Sequence, residues 1–476
     1  MSAKFAKTKI LATVGPACDT TEKLEALIDA GCDAFRLNFS HGSFDFFENI
    51  FNMINELCVR KSLPIPILID LQGPKIRIGE LSQPEIEIKT GDEIELCIND
   101  LPGTRDKISV SYKNLAKDAH VGEAILINDG LIRLEVKSKS ASSVICKIIE
   151  GGILKPRKGM NLPGMKLSTP SVTETDFNNL EFALKHRADF IALSFVRSAE
   201  DIHHLKKWLY IRGIEKPIIA KIEKPEAIQN FDSILDAADG IMVARGDLGV
   251  ELAPQLVPVF QKNIIRKCNS VGKLVITATQ MLETMIENPV PTRAEASDIA
   301  NAVWDGTDVV MLSGETSVGK FPLEAVKMMN DILLTTESQP LFRSEIKYEI
   351  PKDLTANLFD SMAHAHKSIA EQINAAAIII FTHFGRKAIS TAKFRPGATI
   401  FAFSDSFDTC NTLSLHWGIK PLYLENVDDE DSAVQNSMKL LLEKNFINKG
   451  DLLIFAAGRP HIDLERRSWM RFAIAE

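Results

Sequence analysis

Short apolar runs rich in β-branched residues recur along the chain, each followed by a stretch of helical periodicity. They fall at 8–14, 33–38 and 65–70, and then, after a long gap, at 189–195, 217–222, 240–244, 273–277 and 308–312. Runs that are apolar on both faces mark strands covered on both sides, which is how parallel sheets read. Three runs before the gap and five after it make eight. Eight strand–helix units in series close into a TIM-type (β/α)8 barrel more readily than they spread into an open sheet. The pattern predicts that α/β barrel over 1–70 and 168–340.

The gap has another character. Residues 84–89 alternate apolar and polar, Gly91 and Asp92 mark a turn, and 93–98 alternate again. Further short strands are predicted at 124–127, 131–136 and 143–149, between Gly-rich turns. Period-two alternation in short segments predicts an all-β lid domain of barrel type over 71–167, inserted after the third barrel strand. Its exit, 158–164, is punctuated by Gly and Pro as a hinge would be, and Thr173 followed by Asp176 has the spacing of a capped helix start. From 341 to 476 a helix is predicted at 354–373 and strands at 376–381, 399–403, 420–424 and 452–456. This is a separate C-terminal α/β domain with an open sheet.

Composition narrows the function. The 476 residues are too many for one compact domain, and 45% hydrophobic with 25% charged residues is ordinary for globular chains. A formal charge of -8 argues against nucleic acid as a partner, because phosphate backbones need a basic footprint. Anionic ligands must therefore be held by local basic residues or a metal. The longest apolar run, 375–381, is too short to span a bilayer, and the first residues lack the apolar core of a secretory signal. The 7 cysteines are scattered without a C-x-x-C pair, which suits reduced thiols in a cytoplasmic protein.

Barrel chemistry collects where strands end. The second strand ends in Arg36, Asn38 and Ser40 on one face, and by itself this reads equally as a salt bridge and a helix cap. The third ends in Asp70, with Lys75 and Arg77 following at the root of the insertion. The fifth places Lys221 and Glu223 on one side, and buried charges there are costly unless they serve a purpose. The sixth leads into Arg245, Gly246 and Asp247. Glu223 and Asp247 form a carboxylate pair of the kind that holds Mg²⁺ together with substrate oxygens, while backbone N–H groups at Gly246 suit a carboxylate. Thr279 after the seventh strand and Ser313 after the eighth add hydroxyls. Two basic residues, two carboxylates and several hydroxyls at one face are the equipment of phosphoryl transfer.

The runs 36–42, 220–223, 242–249, 278–281, 288–295 and 311–316 resemble those of pyruvate kinases, in the same order and across the whole chain. The resemblance implies transfer of phosphate from phosphoenolpyruvate to ADP in glycolysis, with Mg²⁺ (or Mn²⁺) on Glu223 and Asp247. Lys221 would stabilise the transferring phosphoryl group and Arg36 would bind phosphate. Gly246, Asp247 and Thr279 would orient the substrate carboxylate, and Thr279 and Ser313 would lie near enolate protonation. Asn38, Phe39, Ser40, His41, Arg77 and Lys158 would face the nucleotide, which brings a second Mg²⁺. The inserted domain would be a water-excluding lid, and the family suggests a homotetramer. A metal-dependent lyase or aldolase working through a pyruvate enolate remains an alternative, as does a catalytically inert binding relative.

Two departures from the family pattern carry further expectations. K⁺-dependent relatives place a monovalent cation near positions matching Asn38, Ser40, Asp70 and the Leu71 carbonyl, with a Glu where this chain has Lys75. The tethered ammonium of Lys75 is expected to take the cation's place, so that K⁺ is not required; the alternative is a surface Lys75 with K⁺ still bound through Asn38, Ser40 and Asp70. In the C-terminal domain the loop Thr382, His383, Phe384, Gly385, Arg386, Lys387 lacks the run of hydroxyls of fructose-1,6-bisphosphate-activated relatives. Arg386 and Lys387 are expected to supply charge to a different phosphorylated-metabolite effector.

Overall fold

The computed structural model describes residues 5–339, 348–425, 430–458 and 468–476. All eight expected strands close into a parallel barrel: Lys9–Thr13, Ala34–Asn38, Ile67–Asp70, Phe190–Leu193, Ile218–Ile222, Gly240–Ala244, Leu274–Ala278 and Val309–Leu312. Each pairs with its sequence neighbours and the last closes on the first, with Leu11 opposite Met311. Every residue of these strands is buried apart from Asn38, which explains why they read as unbroken apolar runs. The close approach of strands is visible at Gly240, where a Cβ would sit 2.6 Å from Ile219 Cδ1 and 3.1 Å from Leu274 Cβ.

Helices cover the outside and their starts are capped as the sequence suggested. Thr173 and Asp176 form a reciprocal capping box at Glu174–His186, and Thr292 with Glu295 does the same at Arg293–Asp305. The barrel's main apolar cluster lies between strands and helices, while Leu11, Leu68, Met242, Ile276 and their neighbours fill the interior.

The insertion has its own core, built on Ile94, Leu96, Ile125, Leu134, Val144 and Ile148. Its principal sheet runs in the order Met160–Asn161, Ala124–Ile127, Ile132–Lys139, Ser143–Glu150, Glu93–Cys97, Lys107–Ser109. Ile86–Ile88 pairs with Gly152–Leu154 beside it. Lys107–Ser109, Gly152–Leu154 and Met160–Asn161 were not expected, being only two or three residues long.

The C-terminal domain carries a five-stranded sheet in the order Ile419–Tyr423, Thr399–Ser404, Ala377–Phe381, Leu452–Ala457, Trp469–Ile474. The last, an antiparallel edge strand, was also unexpected. The domain grips the barrel's base: Arg395 donates to Asn269 Oδ1 at 2.9 Å, to the Gly306 carbonyl at 2.9 Å and to Asp308, and Asn411 Nδ2 donates to Asp189 Oδ1 at 3.2 Å.

Candidate active site

The barrel register sets Asn38 beside Asp70 at the C-terminal ends of the second and third strands. From there a chain of buried charges crosses the mouth. Arg36 Nε donates to Asp70 Oδ2 at 2.7 Å and its Nη1 to Thr13 Oγ1 at 3.0 Å. Lys221 Nζ lies 3.1 Å from Asp70 Oδ1, 2.9 Å from Glu223 Oε1 and 2.8 Å from Ser194 Oγ. The Phe195 amide donates to Glu223 Oε2 at 2.7 Å. Arg36, Asp70, Lys221 and Glu223 are all buried.

Burial would lower the Lys221 pKa, but Asp70 and Glu223 overturn this and raise it above the usual lysine range. Burial pushes Asp70 the other way, and the charges of Lys221 and Arg36 bring its carboxyl below its ordinary value. Glu223 goes up: burial raises it and the like charge of Asp247 adds to that, against Lys221. Two carboxylates that repel each other in a buried mouth are the setting a divalent cation neutralises. Among the described residues no cluster of three or more His, Cys, Asp or Glu side chains could hold a metal. A pair such as Glu223 and Asp247 is chemically compatible with Mg²⁺, which takes one or two carboxylates and completes its shell with water and substrate oxygens.

Asp247 stands in the first turn of the short helix Arg245–Glu251. The Gly246 amide donates to Thr279 Oγ1 at 2.8 Å, so these two substrate-carboxylate candidates are joined to each other. Thr279 and Gln280 both have positive φ, 68° and 54°, a conformation that costs non-glycine residues about 1–3 kcal/mol each. Arg245 holds this turn, donating to the carbonyls of Ala278 (3.2 Å), Thr279 (2.6 Å) and Gln280 (3.3 Å) and to Asp298 Oδ2 at 2.6 Å. The Ser313 amide is fixed by the buried Glu315 carboxylate at 2.7 Å, which also takes the Leu282 amide at 3.0 Å. The clamp role of Arg245 and the part of Ser194 were missed. Ser194 lies within the expected run 189–195, but a serine at a strand end looks like a helix cap, and only the fold shows it beside Lys221.

The nucleotide-facing candidates divide. The Phe39 ring is buried and stacks on Phe47 with centroids 4.2 Å apart. Asn38 Oδ1 accepts the Ser40 amide at 3.2 Å, forming a turn that presents the exposed His41. The surrounding protein and the charges of Lys75, Arg77 and Arg36 hold the His41 imidazole below its ordinary pKa. Arg77 and Lys158 are brought together at the hinge by the bridge of Arg77 with Gly159 and by the Ile78 amide, which donates to the Lys158 carbonyl at 3.0 Å. Lys75 is exposed, while Asp70 is fully engaged by Arg36 and Lys221, and the Leu71 carbonyl accepts Ser194 Oγ at 2.6 Å.

The loop 382–387 needs one correction. Lys387 does not present its charge to a ligand. It turns inward and donates to the Ala457 carbonyl at 2.5 Å, because Gly385 at φ 78° starts the helix Arg386–Lys393 with that position facing the sheet. Arg386 lies over the Phe359 ring, 5.0 Å from its centroid. Thr382 Oγ1 accepts the Gly385 amide at 2.9 Å, His383 Nδ1 meets the Asp405 carboxylate at 2.9 Å, and Phe384 is exposed.

These features define a barrel enzyme with an inserted β domain, whose mouth concentrates buried charge of both signs. The pyruvate kinase barrel-domain family matches residues 5–326 and the pyruvate kinase alpha/beta-domain family matches 360–466. Pyruvate kinases of Staphylococcus aureus strain MRSA252 and Staphylococcus epidermidis strain ATCC 12228 are each 41% identical over 456 residues, covering 95% of this chain and 78% of theirs. A crystal structure of a pyruvate kinase from Cryptosporidium parvum superposes with a TM-score of 0.90 at 36% identity, covering 99% of this chain and 96% of that one. The chain belongs to the pyruvate kinase family and is an enzyme of the transferase class.

Proposed function

We propose that the chain transfers the phosphoryl group of phosphoenolpyruvate to ADP, giving pyruvate and ATP, with Mg²⁺ (or Mn²⁺) bound through Glu223 and Asp247. The observation that carries this reading is the buried Lys221 ammonium, kept charged by Asp70 and Glu223 at the barrel mouth. A fixed cation there stabilises charge on the phosphoryl oxygens as the bond to the enol oxygen breaks and the bond to the ADP oxygen forms. Arg36, anchored by Asp70, adds a second positive charge for the phosphate. The metal, when bound, neutralises the negative charges that the two substrates bring together. Thr279 and Gly246 orient the substrate carboxylate, and the enolate takes its proton at carbon on the side of Thr279 and Ser313. His41, Arg77 and Lys158, with the Asn38–Ser40 turn, meet the nucleotide and its own Mg²⁺, and the lid keeps water from the phosphoryl group.

The test is ATP formation from phosphoenolpyruvate and ADP with Mg²⁺, and its absence would overturn the reading in favour of the lyase or the inert relative. K⁺ independence is part of the proposal. Asp70 already has two cationic partners, and Lys75 adds its charge near His41. An ammonium about 4 Å from a unit negative charge gains roughly 4 kcal/mol at an effective dielectric near 20, before desolvation. Turnover in tetramethylammonium buffer should match that with KCl at equal ionic strength, and Lys75→Glu should lower the first and leave K⁺ able to restore part of it.

The remaining assignments rest on the same family reading. The free thiols suit a reducing cytoplasm, and no helix among the described residues is long and apolar enough to cross a membrane. The exposed Phe472 and Ile474 on the edge strand suit a homotetramer, which sedimentation would test. With Lys387 turned inward, Arg386 is the cation left in the loop for a phosphorylated effector other than fructose-1,6-bisphosphate.

A further inference from the structure

Outside the charge chain at the mouth, the buried carboxylate of Glu251 has no place in the mechanism above. Glu251 ends the same short helix that begins with Arg245, Gly246 and Asp247, and it is 5% exposed. Its Oε1 accepts two donors from different parts of the molecule. Lys224 Nζ, itself buried, reaches it at 2.5 Å, and Asn161 Nδ2 reaches it at 2.9 Å. Its Oε2 is buried without a hydrogen-bond partner among the described residues.

The two donors report on the two sides of the reaction site. Lys224 directly follows Glu223, and its ammonium also lies 5.8 Å from the centre of the Phe195 ring, whose own amide holds Glu223. Asn161 belongs to the lid: its strand Met160–Asn161 pairs with Ala124–Ile127, with Asn161 opposite Leu126. A second contact lies beside it. Gly130, in the lid turn that follows, comes so near the barrel that a Cβ there would be 3.9 Å from Val250 Cγ1. The lid thus meets the helix of Asp247 at Val250 and Glu251.

We propose that Glu251 is a positioning residue that docks the lid onto the helix carrying Asp247, with Asn161 as the lid's contact and Lys224 as the tie to Glu223. A carboxylate buried this deeply needs its donors, so lid position and the placement of both carboxylates are linked through one group. The inference rests on the phosphoryl-transfer reading. Its consequence is a leak: with the lid undocked, water attacks the phosphoryl group, the bond to the enol oxygen breaks, and the enolate takes a proton, leaving pyruvate and inorganic phosphate and no ATP.

The experiment measures ATP and inorganic phosphate together, with Mg²⁺, phosphoenolpyruvate and ADP. Wild type comes first. If it makes no ATP, the phosphoryl-transfer reading fails, whatever the variants do. With wild type active, Asn161→Leu should lower kcat and raise the phosphate-to-ATP ratio, each by about tenfold, and leave the phosphoenolpyruvate KM near its wild-type value. Asn161→Ser provides the same measurement if Leu disturbs the sheet. Combining Asn161→Leu with Glu251→Leu, which leaves no oxygen to accept from Asn161, should add no further leak, because both remove the same lid contact. A merely structural role would lower the melting temperature and all activity without changing the product ratio. An unchanged product ratio in folded Asn161 variants, or leaks that multiply in the double variant, would overturn the proposal.

Discussion

Two of the buried lysines, Lys221 and Lys387, meet opposite surroundings. Lys221 at the barrel mouth faces Asp70 and Glu223, and its ammonium is held above the usual lysine range. Among the described residues, Lys387 in the C-terminal domain meets the Ala457 carbonyl and, at 3.5 Å, the Ser468 hydroxyl, and burial pulls its pKa down to about 8. Beside Lys387, the fully buried His366 is pushed down to about 4 by burial and by that lysine's charge. Burial alone therefore does not mark a reactive centre. The mouth carries buried charge together with the countercharges that keep it, whereas the C-terminal site tends to discharge its titratable groups.

The largest expected effect lies at the mouth. Lys221→Met should lower turnover on the order of 10²–10³-fold, as loss of one transition-state stabiliser does. The protein should stay folded, because Arg36 still pairs with Asp70 and the Glu223 carboxyl, already raised, takes up a proton. Near-normal turnover with a normal circular dichroism melt would show that the two lysines differ less than their partners suggest.

Next, Asp70→Asn removes the negative charge that Arg36 and Lys221 share and should destabilise the barrel by about 3 kcal/mol in urea unfolding. A smaller effect is expected from pH. His366 keeps a proton less readily when folded than when unfolded, so its share of stability is present above about pH 6.5 and lost as the pH falls to about 4. His366→Gln should flatten the fall in stability across that window, and an unchanged slope would mean that His366 is not the group responsible. Lys387→Met should be nearly silent, within about 1 kcal/mol at neutral pH, because the carbonyl bond it loses is offset by relief from burying a charge. Wild type alone should gain stability as the pH rises from about 8 to 10.5 and Lys387 discharges in the folded state.

The barrel was legible because its strands are apolar on both faces, so every run from 8–14 to 308–312 stood out against its helices. The charged residues of the mouth could be paired in advance, since alternation alone places Lys221 and Glu223 on one side. What alternation could not supply was the contact between one strand end and the next. Ser194 beside Lys221 and Arg245 under the Thr279 turn come from the register of consecutive barrel strands. The short lid strands hid because two or three residues carry no period. The Lys387 error has the same root: a basic residue after a glycine turn reads as a surface cation, and only the angle of the helix start turns it inward.

The hinge also bears on how the chain folds. Ile69 of the third barrel strand must find Ile191 of the fourth across the whole insertion. A disordered connection of that length would slow the search, though in free energy each doubling of a flexible loop costs only about 0.6 kcal/mol. The insertion has its own core, and the bridge of Arg77 with Gly159 draws its two ends together. Once the lid has folded, the barrel-forming segments are joined by what is in effect a short tether, and the topological distance between the third and fourth strands collapses to that of an ordinary crossover.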